Sequence, residues 1–397
     1  MPRYNGGFIG TDGLDAPDPP TIDSVTAGDA QVSVAFTAGT AGTTATTGFV
    51  AQVSTDGTNY SAGSNTGTSS PIVVSSLTNG TAATAKVWAI NAHGTSAPSI
   101  ASSSFTPAAP RALVAGGYDG SVTSNVIDYY TISTTGNAQD FGDLSYARSG
   151  SGGCGSSTRG LFCGGESNVV DYVTIASTGN AQDFGDLTIS TNDGVAACSN
   201  STYAYPAGLQ SENDTINYRT IASLGNFFDF GNLNTATNKF SACASPTRGI
   251  YFGGGDINNV QIQYISLSTS GNAADFGDLI NYSTYAENSA GASNSTRGIC
   301  AGGSEAGTAR TNHIQYITIA SLGNGTNFGD LTVAGHSFDG AASSTRMTVN
   351  AGNTASGFSN VIQYVTIASL GNSSDFGDLT VARQAPGALS SAHGGLS

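Results

Sequence analysis

The sequence predicts an all-β protein in which a β-sandwich is followed by a closed ring of repeated four-stranded sheets. Two patterns predict this fold. Up to residue 107, apolar and polar residues alternate with period two in short runs, which is typical of antiparallel strands with one buried face. From residue 108 onward, variants of Asp183-Phe184-Gly185-Asp186-Leu187 occur six times. Strand-rich repeats of about 40 to 50 residues are typical of propeller blades.

The composition limits the functions that the chain can have. Only 10% of the 397 residues are charged, the formal net charge is -15, and Lys and Arg are not clustered, which argues against nucleic-acid binding. No apolar run approaches the roughly 18 residues that cross a bilayer, and residues 1–10 lack the apolar core of an export signal. We therefore expect neither membrane insertion nor export through a signal peptide.

Residues 1–17 are interpreted as an arm. They are rich in Gly and Asp, carry Tyr4, Phe8 and Ile9, and lead into a proline-rich connector that disfavours helix and central strand. A short apolar anchor can become ordered by docking on a partner, whereas an unattached terminus frays. We assign Tyr4, Phe8 and Ile9 as candidate attachment residues, with a frayed terminus as the alternative.

Residues 18–107 are predicted to form the sandwich. Runs such as Val32-x-Val34-x-Phe36 and Ala85-x-Val87-x-Ala89 each bury one face. With the Pro19-Pro20 and Leu77-Thr-Asn-Gly80 motifs, they resemble a fibronectin type III module over its whole length.

Three aromatic or corner positions of this segment are informative. Phe36 stands where the fibronectin type III family has an inner Trp, and Ala83 stands where it has a corner Tyr. The corner hydrogen bond of that family is therefore not expected here. Trp88 alternates with apolar residues and is expected to face outward.

Residues 108–397 are predicted to form a six-bladed β-propeller. Each unit reads as a small first strand, a Ser-Thr-Arg-Gly turn, a second strand that closes on Gly-Gly, a third strand with a Tyr, and a fourth with Phe-Gly. The first unit begins at strand two with Arg111, and the C-terminal segment 387–392 supplies a spare strand one. This segment would close the ring and remove the open sheet edge. The order of strands is similar to kelch repeats, with Phe in place of their Trp.

The repeated residues are interpreted as scaffold. The Phe should be buried between blades, and Gly-Asn between strands three and four should form a two-residue type II' hairpin. The five cysteines are expected to be reduced, buried residues used for packing. The repeated Asp pairs, such as Asp183 and Asp186, could ligate calcium or cap turns, and the lack of a third recurrent carboxylate favours capping.

The sequence predicts no enzyme and no cofactor. The four histidines are scattered, and there is no metal-ligand spacing, nucleophile elbow or phosphate-binding loop. A glycan-cleaving propeller remains the alternative from the enzyme class, but it would need converging arginines and acids. Five of the arginines occupy one repeated column, which assigns them to the scaffold.

Binding is predicted at one end of the propeller. The loops between strands two and three and between strands four and one differ among the units, while the turns at the other end are nearly constant. Variable loops on a rigid frame are typical of a recognition surface, and unconstrained drift is the alternative. The candidate binding residues are Tyr118, Tyr146, Glu212, Asp256, Tyr282, Tyr285, Glu305, Arg310, His336, Phe338 and Phe358.

The N-terminal Met-Pro-Arg-Tyr-Asn-Gly-Gly-Phe-Ile-Gly, the sandwich and the repeat Asn-Val-Ile-x-Tyr-x-Thr-Ile-Ala-Ser-x-Gly-Asn together resemble the kelch-like virion structural proteins of marine tailed bacteriophages. The resemblance implies a tail or capsid fibre or appendage that is assembled in the host cytoplasm and displayed outside. It implies contact with other virion proteins through the arm and with a host-surface glycan or protein through the propeller. A homo-oligomer and a purely structural decoration protein are compatible with it.

Overall fold

The computed structural model describes residues 15–191, 194–210, 213–255, 260–282, 286–305 and 309–396, with the backbone alone for residues 62–64. Within these ranges the chain is all-β, and the helical segment is the 3-10 turn Gly394–Leu396. The chain divides into two compact units, Met1–Ala109 and Pro110–Ser397. None of the described helical residues belongs to a helix that is long and apolar enough to cross a bilayer.

The first unit consists of two sheets around one apolar core. The sheets have the orders β1-β2-β5 and β4-β3-β6-β7. Alternate residues of β2, β3 and β6 are buried, and Val32, Ala51 and Val87 are fully inside. The strands are β1 (Thr21–Gly28), β2 (Gln31–Thr37), β3 (Gly48–Ser54), β4 (Ala62–Gly67), β5 (Ile72–Val74), β6 (Thr84–Asn91) and β7 (Gly94–Thr95).

Phe36 and Trp88 of the first unit lie on the sides of their strands that the sequence pattern predicts. Phe36 is buried, and its ring centroid is 4.8 Å from that of Phe49. Ala83 is buried and bridges to Phe105. Trp88 is partly exposed on the outer side of β6, with its ring 6.5 Å from that of Tyr60, as its alternation predicts.

The second unit holds the repeated strands. In chain order they are β8 (Arg111–Ala115), β9 (Val126–Thr131), β10 (Gln139–Asp143), β11 (Gly152–Gly155), β12 (Arg159–Cys163), β13 (Val169–Thr174), β14 (Gln182–Asp186), β15 (Ala196–Ser199), β16 (Tyr203–Ala207), β17 (Thr215–Thr220), β18 (Phe228–Asn232), β19 (Ser241–Ala244), β20 (Arg248–Phe252), β21 (Gln261–Ser266), β22 (Ala274–Asp278), β23 (Ala290–Ser293), β24 (Arg297–Ala301), β25 (Ser304–Glu305), β26 (Ala309–Thr318), β27 (Thr326–His336), β28 (Asp339–Ala342), β29 (Arg346–Asn350), β30 (Asn353–Thr354), β31 (Gly357–Thr366), β32 (Ser374–Arg383) and β33 (Gly387–Ser390).

These strands form four-stranded groups. Four sheets of the described residues have the orders β10-β9-β8-β33, β11-β12-β13-β14, β15-β16-β17-β18 and β19-β20-β21-β22. A ten-stranded sheet contains two more groups, β23-β24-β26-β27 and β28-β29-β31-β32, joined through the short strand β30. We call the groups copies 1 to 6 in chain order, with β33 belonging to copy 1.

The eight-stranded path through the largest sheet is nearly closed. It runs from β23 to β28, and these two end strands lie side by side without being paired. A Cβ atom added to Gly340 would lie 2.6 Å from the carbonyl oxygen of Gly291, so no side chain fits between them. The small residues predicted for strand one therefore allow the first strands of neighbouring copies to approach closely.

Consecutive copies are joined into a ring by backbone hydrogen bonds. The carbonyl oxygen of each repeated Phe accepts from the Gly N–H of the Gly-Asn pair in the following copy, at 2.8 to 3.1 Å. Copy 6 is bonded to copy 1 in the same way, through Phe376 and Gly136. The C-terminal strand β33 pairs with β8, from Gly387 opposite Ala115 to Ser390 opposite Ala112. The last strand thus completes the first copy, as the sequence predicts.

The Gly-Asn pair does not form the predicted two-residue hairpin. In copy 1, β9 ends at Thr131 and β10 begins at Gln139, so the pair lies in a longer loop. The side-chain oxygen of Asn137 accepts a hydrogen bond from the Asp378 N–H of copy 6 at 3.1 Å. The prediction was wrong because it considered only the hairpin, whereas the pair is used to join copies.

The repeated aromatic residues and the cysteines are buried, as predicted. The repeated Phe side chains are 2% to 7% exposed, and each meets the Tyr twelve residues earlier edge-on, with ring centroids 5.7 to 6.1 Å apart. Phe184 of copy 2 shares a core cluster with Ala204 and Ile221 of copy 3. All five cysteines are free and buried, and burial raises the pKa of Cys300 to about 11.

Candidate functional site

The two ends of the repeat unit differ in how their side chains are used. We call the end with the turns between strands one and two and between strands three and four the constant end, and the opposite end the variable end. Because paired strands are antiparallel, all loops of one kind lie at the same end.

The arginine column at the constant end holds neighbouring copies together. Each Arg guanidinium lies over the Tyr ring of its own copy, with its carbon 4.3 to 4.9 Å from the ring centroid. Its Nη1 donates to a backbone carbonyl of the following copy, as Arg297 does to Ile367 at 2.7 Å. Copy 3 lacks this arginine, and the Tyr205 hydroxyl donates to Leu267 of copy 4 at 2.9 Å instead. The column is scaffold, as the sequence indicates.

The side chains of the repeated Asp pairs are predicted either to ligate calcium or to cap turns. The carboxylate of Asp183 accepts from the Gly185 N–H at 3.1 Å, and Asp229 accepts from Gly231 at 3.0 Å. No group of three or more metal-ligating side chains occurs within the described ranges. Turn capping is therefore seen at Asp183, and at Asp229 of copy 3, where Asn232 stands in place of the second Asp.

A second set of contacts between copies is buried along strand three. One Asp, Asn or Gln side chain of each strand three accepts from the backbone N–H that follows the Phe-Gly-Asp-Leu segment of the preceding copy, at 2.5 to 3.2 Å. Where the acceptor is Asp, an arginine pairs with it: Arg148 with Asp171 at 2.7 Å, and Arg383 with Asp128 at 2.8 Å. All four side chains are fully buried, which excludes these arginines from ligand contact.

The structure separates the predicted binding residues into groups. Tyr282 and Phe338 are buried, at 9% and 5% exposure, because their rings fill space beside Gly302. They are packing residues, and their assignment to a binding surface was wrong. Tyr146 covers Arg148, and its hydroxyl bonds to Ser167. Glu305 is half-buried in β25, which pairs with β26.

Several predicted residues lie outside the described ranges. They are the attachment residues Tyr4, Phe8 and Ile9 and the binding candidates Glu212, Asp256 and Tyr285.

The remaining candidates lie together at the variable end of copies 5, 6 and 1. Arg310 donates from Nε and Nη2 to the backbone and side-chain oxygens of Asn353, at 3.2 and 2.9 Å. Asn353 Nδ2 donates to Gln384 Oε1 at 3.0 Å. The backbone of Gln384 pairs in both directions with Tyr118, and the Tyr118 ring lies 5.8 Å from that of Phe358. We call Arg310, Asn353, Gln384, Tyr118 and Phe358 the donor row.

His336 borders the donor row. It lies opposite Asn353 where β27 pairs with β30, and its Nδ1 is 2.9 Å from the Ser337 hydroxyl. Burial, followed by the charges of Arg310 and Lys239, lowers the pKa of His336 below its usual value. The imidazole is therefore neutral at pH 7, and Arg310 supplies the positive charge of the row.

Sequence reasoning missed Asn353 and Gln384. Both lie in the loop classes that vary among copies, and Gln384 follows Ala382-Arg383 as Ser149 follows Ala147-Arg148. A comparison of the six copies does not single out Gln384, because the same position in the other copies holds Ser149, Asn192, Asn238, Thr284 and His336. Asn353 could not be selected in this way either, because its importance comes from a contact with Arg310 of another copy.

A small cavity runs between the first strands of the copies. Its volume is about 90 Å³, and Lys239, Asn288, Asp339 and His393 are among the residues that line it. His393 Nε2 lies 2.9 Å from the Gly155 carbonyl, and burial lowers its pKa. Small-molecule sites usually enclose at least about 300 Å³, whereas a water takes about 30 Å³. The cavity therefore suits a few waters better than a sugar ring.

Asp339 is the one carboxylate among the described residues that line this cavity. Its oxygens accept from the N–H groups of Ala388 and Gly340, at 2.6 and 2.7 Å. Burial raises the pKa of Asp339 to about 7 even though both hydrogen bonds favour the carboxylate. The group joins strand one of copy 6 to β33 and can change its charge near neutral pH.

Comparison with known proteins gives no family for this chain. The sequence matches no protein-family model, and no curated protein is significantly similar to it.

Proposed function

We propose that the second unit is a six-bladed kelch-like β-propeller and that the first is a fibronectin type III-like module. The propeller is supported by the four-stranded copies, by the hydrogen bond from copy 6 back to copy 1, and by the pairing of β33 with β8. The module is supported by its three-stranded and four-stranded sheets around one core.

We propose further that the protein is a non-enzymatic virion appendage that presents the variable end of the propeller to a host-surface glycan or protein. In this proposal, residues 1–17 attach to other virion proteins and the first unit acts as a spacer. One observation carries the binding function: the constant end uses its polar side chains between copies, whereas the variable end leaves aromatic rings and hydrogen-bond donors accessible on a rigid frame.

Two other functions make different predictions. A glycan-cleaving propeller would release sugar from host polysaccharide. A purely structural decoration protein would bind no glycan and would contribute to the particle alone. The described arginines of the repeated column are held at the constant end by Tyr rings, which counts against the converging arginines of the first alternative.

The binding function is tested with the whole chain on an array of bacterial surface glycans, with a parallel assay for released reducing sugar. We expect retention on a subset of glycans without sugar release. A variant in which residues 355–358 are replaced by Gly and Ser, with β30 left intact, should lose this retention and keep its melting temperature within a few degrees. Sugar release that the loop variant lacks would support the enzyme, and no retention on any glycan would support the structural alternative.

The location in the particle is tested separately. Gold-labelled antibody against the propeller should mark intact particles at one site, at the tail or the capsid. Labelling confined to particles that have been opened would contradict display at the surface.

A further inference from the structure

We propose that the donor row is a subsite for an acidic saccharide, with carboxylates of uronic acid units bound by the free donors of Gln384 and Arg310 and the sugar packed against Tyr118 and Phe358. This inference rests on the proposed function and gives its ligand a chemical class.

The direction of the side-chain hydrogen bonds in the row follows from Arg310. A guanidinium can only donate, so the Asn353 side-chain atom that it contacts must be the oxygen. The other end of that amide is then the nitrogen, which donates to Gln384. The contacted atom of Gln384 is therefore its oxygen, which leaves Nε2 as the terminal group. This orientation does not depend on how the amides were assigned, because arginine has no acceptor.

The row therefore offers donors to a ligand. Gln384 Nε2 and Arg310 Nη1 have no hydrogen-bond partner among the described residues, while the side-chain oxygens of Asn353 and Gln384 each already accept one bond. A sugar hydroxyl both donates and accepts, whereas a carboxylate only accepts. Two free N–H groups beside one positive charge complement a carboxylate best.

Two aromatic rings provide the rest of the site. Tyr118 and Phe358 meet edge-on at 5.8 Å, and both are partly exposed. Phe358 rests on Gly120, where an added Cβ would come within 2.5 Å of the ring. Phe358 also lies opposite Asn353 in the β30–β31 pair, so the rings and the donors share one surface. Binding sites usually combine an apolar wall with a few oriented polar groups, and this surface has both.

The overall charge does not prevent binding of an anion here. The chain has a formal net charge of -15, and Glu305 lies in the strand beside Arg310. At physiological ionic strength, charges further away than about 8 Å are largely screened, so of the net charge only nearby groups such as Glu305 and Asp119 oppose the contacts of the row. The same argument predicts that affinity should fall in high salt.

The test uses isothermal titration of the whole chain with two probes of equal length, a hexamer of galacturonic acid and a hexamer of glucose. We expect the acidic hexamer to bind at least about tenfold more tightly than the neutral one. The Gln384→Glu variant keeps the acceptor for Asn353 and replaces the terminal donor by a charged acceptor. It should lower affinity for the acidic hexamer about tenfold or more, with an unchanged melting temperature.

Ser149→Ala is the matched control, because Ser149 holds the corresponding position in the neighbouring loop. It should leave binding of both hexamers unchanged. Equal affinity of Gln384→Glu and the unmodified chain for the acidic hexamer would overturn the proposal, as would tighter binding of the neutral hexamer or no binding of either. If both hexamers fail while the glycan array still shows loop-dependent retention, the subsite is refuted and the binding function stands.

Discussion

The constant and variable ends of the second unit are built from the same six copies but use their polar groups in opposite ways. At the constant end, Arg297 and its equivalents lie over Tyr rings and bond to the next copy. At the variable end, the chain from Arg310 to Gln384 also joins copies, yet it finishes in donors with no partner among the described residues. Repetition therefore identifies the scaffold, and departure from repetition identifies where to look for a site.

Departures from the repeat are not all functional. Copy 3 lacks the repeated arginine, but Tyr205 makes the equivalent bond to the next copy. Asp128 and Asp171 are matched by Arg383 and Arg148, whereas the other copies have uncharged acceptors at the same position. Such paired changes preserve the hydrogen-bonded contact between copies, which we call the joint. A position that varies among the copies and keeps a side-chain donor without a partner among the described residues, such as Gln384, is the better candidate for binding.

The largest expected effect comes from breaking a buried joint. Arg148→Thr, which copies the residue at Thr191, should destabilise the protein by about 3 to 5 kcal/mol, because it leaves the Asp171 charge buried without its partner. Adding Asp171→Asn, which copies Asn217, should restore most of the stability. Denaturant unfolding measures both. A double variant as unstable as the single one would show that charge pairing is not what the joint requires.

A similar loss is expected from the repeated aromatic core. Phe276→Ala removes a ring that is 2% exposed and meets Tyr264 edge-on, and it should cost about 3 to 5 kcal/mol. The control is Phe228→Ala. Because Phe228 is 55% exposed, this substitution should reduce the free energy of unfolding much less. The melting temperatures of the two variants are compared with that of the unmodified chain. An unchanged value for Phe276→Ala would refute its packing role.

A smaller effect is expected from the titration of Asp339. Its folded pKa of about 7 lies above the ordinary value of 3.8, so the folded state holds the proton more tightly. The stability that this provides is complete below about pH 4 and is lost as the pH rises to about 7. The melting temperature of the unmodified chain, relative to Asp339→Asn, should therefore fall between about pH 4 and about pH 8. A difference that stays constant over this range would contradict the burial of the carboxyl.

The smallest effect on stability is expected at the donor row. Arg310 is exposed, so Arg310→Ala should change the free energy of unfolding by no more than about 0.5 kcal/mol. Calorimetry of this variant beside Arg297→Ala compares the two ends directly. The constant-end variant should be clearly less stable, because it loses both the stacking of the guanidinium over the Tyr316 ring and the bond to Ile367. If both variants lost the same free energy of unfolding, the two ends would not differ in their contribution to stability.

Much of the fold could be predicted because the repeated residues mark the strands of each copy directly in the sequence. Local patterns in the sequence give the Phe and Tyr spacing and the small residues of strand one. Counting the strands of each copy gives the spare C-terminal strand. The role of Gly136-Asn137 could not be predicted, because the pair bonds to copy 6 across the closure of the ring. Tyr282 and Phe338 were misjudged for a similar reason, since loop position does not show whether a ring turns inward.

The most direct measurement of the central claim is retention of three proteins on one array of acidic and neutral glycans. The proteins are the unmodified chain, the constant-end variant Arg297→Lys, and a variable-end double variant with Arg310→Ala and Gln384→Glu. All three are measured at a temperature well below their melting temperatures. We predict that Arg297→Lys keeps the glycan profile of the unmodified chain and that the double variant loses the acidic glycans. Loss of the profile in Arg297→Lys, with the double variant unaffected, would contradict the account.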